Sequence, residues 1–492
     1  MSSPPNVLLI CTDHWPARLM GEAGHPVART PTLDTLARNG VRFTNAYSEC
    51  PVCIPARRTL MTGMSTRAHG DREFKVLEPM PAFPTLAQTF RDNGYQAQAV
   101  GKLHVYPQRD RIGFDDVMLV EEGRPILGAV DDYDLWLADQ GQAGLGYAHG
   151  MSNNEYTFRP WHLPESHHTT NWITRTMCRQ IKRRDPTRPA FWYLSYVHPH
   201  PPLVPLQAYL DLYRDLDMDD ACTGDWSGDP DSLPYLLRVI RSKWQHMPPG
   251  EIARIRRAFY ALCTHIDHQM RLVVGTLREE RLLDNTIIMF TSDHGDMLGD
   301  HGLWAKRVYY EASANVPMLV QGTREQAAAT AGTVSDRLVG WQDVMPTLLD
   351  MAGLEVPDHV EGRSMFGSEC RSHLYGECGE GPKSSRMIRQ GSLKLIYYPW
   401  GHRRQLFDVD ADPAEQRDLA SLSAHADDLE QLTKLLVAGL YGPDLDWVVD
   451  GELVGMPDPD FAAAPNRDLS GQRGIHWPLP PRDASGDRIG MP

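Results

Sequence analysis

Residues 6–13 read NVLLICTD, an unbroken run of branched and apolar residues that ends in a carboxylate. The run is too short for an ordinary helix and shows no polar alternation. It reads as a strand buried on both faces, the pattern of a parallel sheet covered by helices. Open α/β sheets bind ligands just beyond the carboxyl ends of such strands. Asp13 is therefore a candidate metal ligand, and a turn or helix-capping aspartate is the plain alternative.

The same grammar extends outward from that strand. Thr30 and Pro31 suit the N-cap and first position of a helix, Leu33, Leu36 and Ala37 supply its apolar face, and Gly40 closes it. VRFTNAY, 41–47, follows as a strand. Pro84 to Gly94 predicts another helix, leading into YQAQAV, 95–100. A helix over 171–184 precedes the strongly β-prone FWYLSYV, 191–197. One long helix spans 251–283, with Arg254, Arg256, Arg257, His265 and His268 read as a solvated face, and NTIIMFT, 285–291, is a further buried strand. Between these, 121–170 reads as an irregular insertion of the kind that walls a pocket. The alternation predicts an α/β fold. The tail after about 442 is rich in Pro, Gly and Asp and has little periodicity.

At 492 residues the chain is long enough for a large core and more than one domain. Its formal charge of −15 makes nucleic acid and anionic membrane poor partners. No apolar run approaches the ~18 residues of a membrane span. The N-terminus lacks a basic region and a cleavage site, so a cytoplasmic protein is expected. The eight cysteines are dispersed, which argues against a disulfide framework. Cys50 and Cys53 form a Cys-x-x-Cys that no second pair completes into a zinc site.

Chemistry-bearing residues gather at the predicted strand ends. In SECPVCIPARRTLMTG, 48–63, Pro55 suits a first helical turn and Gly63 a helix exit. Cys53 would then lie in the loop just before the helix N-terminus, where free N–H groups favour an anion. Arg57 follows one turn later on the same face. In Gly101-Lys102-Leu103-His104, Lys102 and His104 are two apart and point the same way if the chain is extended. A cation and an imidazole on one spot suit an anionic ester oxygen and proton transfer.

Cys53-Ile54-Pro55-Ala56-Arg57 resembles the Cys-x-Pro-x-Arg signature of the sulfatase family, within the alkaline phosphatase superfamily. Gly101–His104 resembles its Gly-Lys-x-His, and the Pro-His-x-Pro at 199–202 resembles its histidine segment, which maps to His200. Ser292-Asp293-His294-Gly295 resembles its second metal motif, with Asp296 in a supporting place, and Lys306 stands at its sulfate-contacting lysine. The resemblance covers roughly residues 6–420. It implies an alkaline-phosphatase-like mixed sheet flanked by helices (1–372) and a smaller C-terminal α+β domain (373–492) with an antiparallel sheet and extended tail. It further implies that a formylglycine-generating enzyme oxidises Cys53, whose hydrated aldehyde then supplies the nucleophilic oxygen. One divalent cation, Ca2+ or Mn2+, would be held by Asp13, residue 53, Asp293 and His294. Arg57 and Lys102 would neutralise the nucleophile and ester oxygens, Lys306 and His200 would serve the leaving group, and His104 would act as the later base. The chain departs from the common pattern at Asp13-His14, where many sulfatases have two aspartates, and at His294, where many have Asn. Both departures resemble cytoplasmic choline sulfatases and phosphonate monoester hydrolases, and an imidazole shifts the metal preference toward manganese. The expected function is hydrolysis of aryl or small alkyl sulfate monoesters. The alternatives are a phosphonate monoester hydrolase or phosphodiesterase, and a metal-binding pseudoenzyme with an unmodified thiol. The expected partners are a small anionic ester and a second copy of the chain.

Overall fold

The computed structural model describes residues 3–122, 130–151, 154–244 and 250–461. Its centre is an eight-stranded mixed sheet. The strands are β1 (Asn6–Thr12), β2 (Val41–Tyr47), β3 (Gln96–Gly101), β4 (Asp116–Leu119), β5 (Ala190–Ser195), β6 (Thr286–Ser292), β7 (Met318–Gln321) and β8 (Thr333–Gly340), in the order β4-β3-β5-β1-β6-β7-β2-β8. From β4 to β6 neighbouring strands run parallel, whereas β7 is antiparallel to both β6 and β2.

All seven residues of β1 are buried. Leu8 and Ile10 face one core, while Val7, Leu9 and Cys11 face the other. This two-sided burial is why the strand is apolar throughout rather than alternating. Each such aliphatic side chain contributes roughly 1.5–3 kcal/mol by leaving water. Four helices bear on the site: α1 (Pro31–Asn39), α2 (Cys53–Thr62), α3 (Thr169–Arg183) and α4 (Glu251–Glu279). Helices α1, α3 and α4 pack on the Leu8 face, and α2 packs on the Val7 face through Ala56, Leu60 and Met61.

A smaller antiparallel sheet, β9 (Leu374–Cys378), β10 (Ser385–Gln390), β11 (Leu393–Tyr398) and β12 (Arg403–Asp408), is ordered β12-β11-β10-β9. Helix α5 (Ala426–Gly439) covers it, setting Leu432 and Leu436 against Ile388, Leu395 and Leu406.

Several local expectations are corrected. The Thr30 hydroxyl donates to Asp34 and makes no cap bond to α1. The Asp267 carboxylate of α4 caps it instead, accepting the N–H groups of Thr32 and Leu33 at 2.9–3.1 Å. The helix expected at Pro84 begins at Leu86, with Thr85 as its side-chain cap. The insertion contains a helix, Asp132–Asp139. The long helix ends at Glu279, and Arg256 and His265 on it are fully buried. The tail carries a short helix, Gly442–Trp447, and a small hairpin. The parts of the insertion at 123–129 and 152–153, and the tail at 462–492, lie outside the described residues. All eight cysteines are free. Among the described residues no helix is long and apolar enough to cross a membrane.

Candidate active site

Four adjacent parallel strands, β3-β5-β1-β6, deliver the site at their carboxyl ends. Asp13 follows β1, Lys102 follows β3, His198 and His200 follow β5, and Asp293 and His294 follow β6. The turn after β3 needs a glycine. Gly101 has φ +111°, and a Cβ there would meet the Ser195 carbonyl oxygen at 1.8 Å. The Lys102 N–H donates to that same oxygen at 3.0 Å. Cys53 is the first residue of α2 rather than a loop residue, with Val52 as the N-cap. Its side chain still stands at the helix end where backbone N–H groups lack helical acceptors. Gly63 closes the helix in the left-handed conformation, as expected.

The ligand atoms of Asp13, Cys53, Asp293 and His294 lie within 4.8 Å of one another, all buried. His294 Nε2 is 3.4 Å from Asp13 Oδ1, 3.5 Å from Asp293 Oδ1 and 3.4 Å from Cys53 Sγ. His294 Nδ1 donates to the Gly295 carbonyl at 2.9 Å, and burial holds the ring pKa down at about 4. The ring is therefore neutral and turns an Nε2 lone pair toward two carboxylate oxygens. A divalent cation satisfies that arrangement, and the donor set fits one. Burial, reinforced by Asp13, raises Asp293 to about 6.

Cations surround this cluster. Lys102 Nζ is clamped between Asp13 and Glu122. Burial opposes its charge, but the two carboxylates outweigh it and raise its pKa. Lys306 Nζ donates to Cys53 Sγ and to His14 Nε2, both at 2.8 Å. Burial, then Lys306, holds the His14 ring neutral by driving its pKa well below 6.5. His14 Nδ1 donates to Asp296 Oδ2 at 2.6 Å, and the Tyr156 hydroxyl donates to the same oxygen. His200 Nδ1 faces the Pro201 carbonyl at 2.6 Å. Its Nε2 has no hydrogen-bond partner among the described residues and lies 3.9 Å from Glu122.

Two residues stand differently from expectation. Arg57 directs Nε and Nη2 to Asp293 (3.0 Å each) and Nη1 to the Lys102 carbonyl, Tyr193 and Ser195. It braces the cluster from behind. His104 has φ +60°, so the chain is not extended there and the strand alternation behind its expected alignment with Lys102 does not apply. Its backbone N–H donates to Glu121 and its ring packs edge-on to Phe74. Glu122, Tyr156 and Glu121 were not singled out from sequence. They sit at the edge of, or within, the irregular insertion, where no periodicity marks an inward side chain. A cavity beside Glu122 is lined by Tyr147, His149, Trp161 and His198.

The sulfatase family profile matches residues 5–354, and that of the N-sulphoglucosamine sulphohydrolase C-terminal region matches 299–439. An arylsulfatase of Clostridium perfringens (strain 13 / Type A) is 33% identical over 462 residues, covering 89% of this chain and 95% of the relative. A choline-sulfatase of Rhizobium meliloti (strain 1021) is 29% identical over 442 residues, covering 85% and 82%. The crystal structure of a phosphonate monoester hydrolase of Agrobacterium radiobacter shares the fold, with a TM-score of 0.76 at 23% identity over 88% of this chain and 95% of that one. The chain belongs to the sulfatase family and is a sulfuric ester hydrolase.

Proposed function

We propose that the chain hydrolyses sulfate monoesters of aryl or small alkyl alcohols, using formylglycine made from Cys53 and one divalent cation, Ca2+ or Mn2+. The observation that carries this reading is the buried convergence of Asp13, Cys53, Asp293 and His294 around a neutral imidazole lone pair, at a helix N-terminus. Asp13, Asp293, His294 and residue 53 would hold the cation. When present, the cation lends Lewis-acid charge to the ester and the formylglycine hydrate supplies the nucleophilic oxygen.

The remaining work falls to this chain's own side chains. Lys102 offsets charge on the ester oxygens, and its two carboxylate partners keep it protonated. Lys306, beside the Cys53 side chain, is the donor for the departing alkoxide. His200 is neutral, because burial drives its pKa well below 6.5, and Nδ1 carries its hydrogen. Its Nε2 therefore accepts, which suits orienting a hydroxyl or water at the leaving-group side. Arg57 acts through Asp293, holding Oδ2 so that Oδ1 stays turned toward His294, where it would serve as a ligand to the cation. His104 remains the candidate base for regenerating the aldehyde.

A phosphonate monoester or phosphodiester substrate is the second reading. The Asp13-His14 pair and His294 favour it, since both resemble that branch. The test is a panel of sulfate, phosphonate monoester and phosphodiester substrates, run on protein made together with a formylglycine-generating enzyme. Sulfate monoesters are expected to lead by kcat/KM. Peptide mass spectrometry should show residue 53 lighter than cysteine by about 18 Da, the change from thiol to aldehyde. Active enzyme with an intact cysteine at 53, or a panel led by phosphonates, would overturn the reading.

A further inference from the structure

We propose that His14, oriented by Asp296 and Tyr156, is a positioning residue that fixes the Lys306 ammonium for the leaving group. The proposal rests on the sulfatase reading above and extends it to a residue at which the chain departs from the common motif.

The geometry is a chain of buried contacts. Tyr156 and His14 Nδ1 both donate to Asp296 Oδ2, while the Leu298 N–H donates to Asp296 Oδ1 at 2.9 Å. With Nδ1 committed, His14 Nε2 presents only a lone pair, and Lys306 donates to it at 2.8 Å. His14 and Asp296 are fully buried. An ammonium has three hydrogens. One goes to His14 and one to the Cys53 side chain, which leaves the third on a fixed vector for the ester oxygen. Without His14 one of the two contacts that fix the ammonium is lost, and the flexible four-carbon stem can swing about the other.

The backbone supports this assignment. His14 has φ +71°, and Lys306 lies between Ala305 at +61° and Arg307 at +79°. Residues other than glycine rarely adopt this conformation and hold it only where their surroundings require it. Here one such residue forms one end of the hydrogen bond and two flank the other end.

Asp13, His14 and His200 also lie within 4.8 Å of one another, which raises a second metal site as the competing explanation. A cation on His14 Nε2 would have to stand where the Lys306 ammonium already stands, and like charges at that separation repel strongly in a buried site.

The test compares His14→Leu, His14→Gln and Tyr156→Phe in matured protein. Each is assayed with an alkyl sulfate, which has a poor leaving group, and an aryl sulfate of low phenol pKa. His14→Leu should lower kcat for the alkyl ester roughly 10- to 100-fold and for the aryl ester less than about threefold, with KM nearly unchanged. His14→Gln should recover most of the loss, since its amide oxygen can accept from Lys306 while its nitrogen donates to Asp296. Tyr156→Phe should fall between. Bound metal should stay at the wild-type level in all three. Loss of metal in His14→Leu, equal slowing of both esters, or no recovery in His14→Gln would each overturn the proposal. A readout independent of turnover uses protein labelled with 15N-histidine, with the His14 signals assigned by their absence in His14→Gln. The neutral Nδ1–H tautomer is expected, and Lys306→Met should shift the Nε2 resonance. An Nε2–H tautomer would overturn the proposal even if the substrate class were right. A wild-type enzyme inactive on sulfate esters that still shows the Nδ1–H tautomer and the Lys306→Met shift would uphold the contact and sink only the substrate reading.

Discussion

Arg57 is 1% exposed and contacts four residues from three parts of the chain: Asp293 after β6, the Lys102 carbonyl after β3, and Tyr193 and Ser195 of β5. Its planar fork meets these partners together, which an ammonium cannot do. Arg57→Lys keeps the charge but strands several buried acceptors, each worth about 1–3 kcal/mol. The variant should melt at a lower temperature and bind metal less tightly, because Asp293 loses its brace. Thermal melts with metal analysis check this, and unchanged metal affinity would show that Arg57 does not organise Asp293. The presence of Arg57 was legible in sequence, one helical turn from Cys53. Its orientation was not, because all of its acceptors except the Lys102 carbonyl lie more than a hundred residues away. Glu122 clamps Lys102 from the next loop, and an acidic residue in an irregular stretch carries no signal of inward aim.

Among the elements, α4 shows most clearly where sequence periodicity informs and where it stops. The apolar repeat marks the helix, yet its Arg256, His265 and Asp267 are buried on the packed side. Each is compensated from elsewhere: Arg256 by Asp300 at 2.6 Å and Asp219, His265 by Asn171 at 2.7 Å, and Asp267 by the first turn of α1. A polar residue is normally read as solvated, and only the folded neighbours reverse that. The β-strand ends were legible because strands buried on both faces leave an unmistakable apolar run. His265 also supplies a pH test. Burial, then His198 and His268, lowers its pKa from 6.5 to about 3. Between those values the unfolded chain binds the extra proton, so stability rises with pH through this window and is lost as pH falls from about 6.5 toward 3. One such group contributes a slope near 1.4 kcal/mol per pH unit. His265→Gln can still donate to Asn171 but does not titrate. Its stability deficit should shrink by roughly 2–3 kcal/mol between pH 7.5 and pH 4.5. Denaturant melts at the two pH values measure it, and an equal deficit at both would show that His265 is not the titrating group.

At the scale of the whole molecule, the two sheets are joined by buried charge. Asp444, in the tail segment read from sequence as having little periodicity, accepts both arms of Arg72 at 2.9 and 3.0 Å and both arms of Arg386 at 2.7 and 2.9 Å. Arg72 belongs to the segment following α2, and Arg386 lies on β10. Glu377 of β9 completes the group, accepting from Arg72 at 3.0 Å, Thr66 at 2.7 Å and Tyr441 at 3.0 Å. One aspartate therefore ties together two arginines that belong to different sheets' surroundings, and the tail acts as a clasp. Removing it leaves Arg386 with backbone carbonyl acceptors alone, and Arg72 with Glu377 and, at 3.7 Å, the more exposed Glu380. Breaking a buried pair from one side costs about 3–5 kcal/mol. Asp444→Ala should accordingly lower the melting temperature sharply and expose the seam between the sheets to hydrogen exchange, first at β9 and β10. Asp284→Ala, which removes an exposed partner of Arg324, is the matched control and should leave both readouts unchanged. Equal stability of the two variants would mean that apolar packing alone, without the Asp444 clasp, holds the C-terminal sheet against the catalytic sheet.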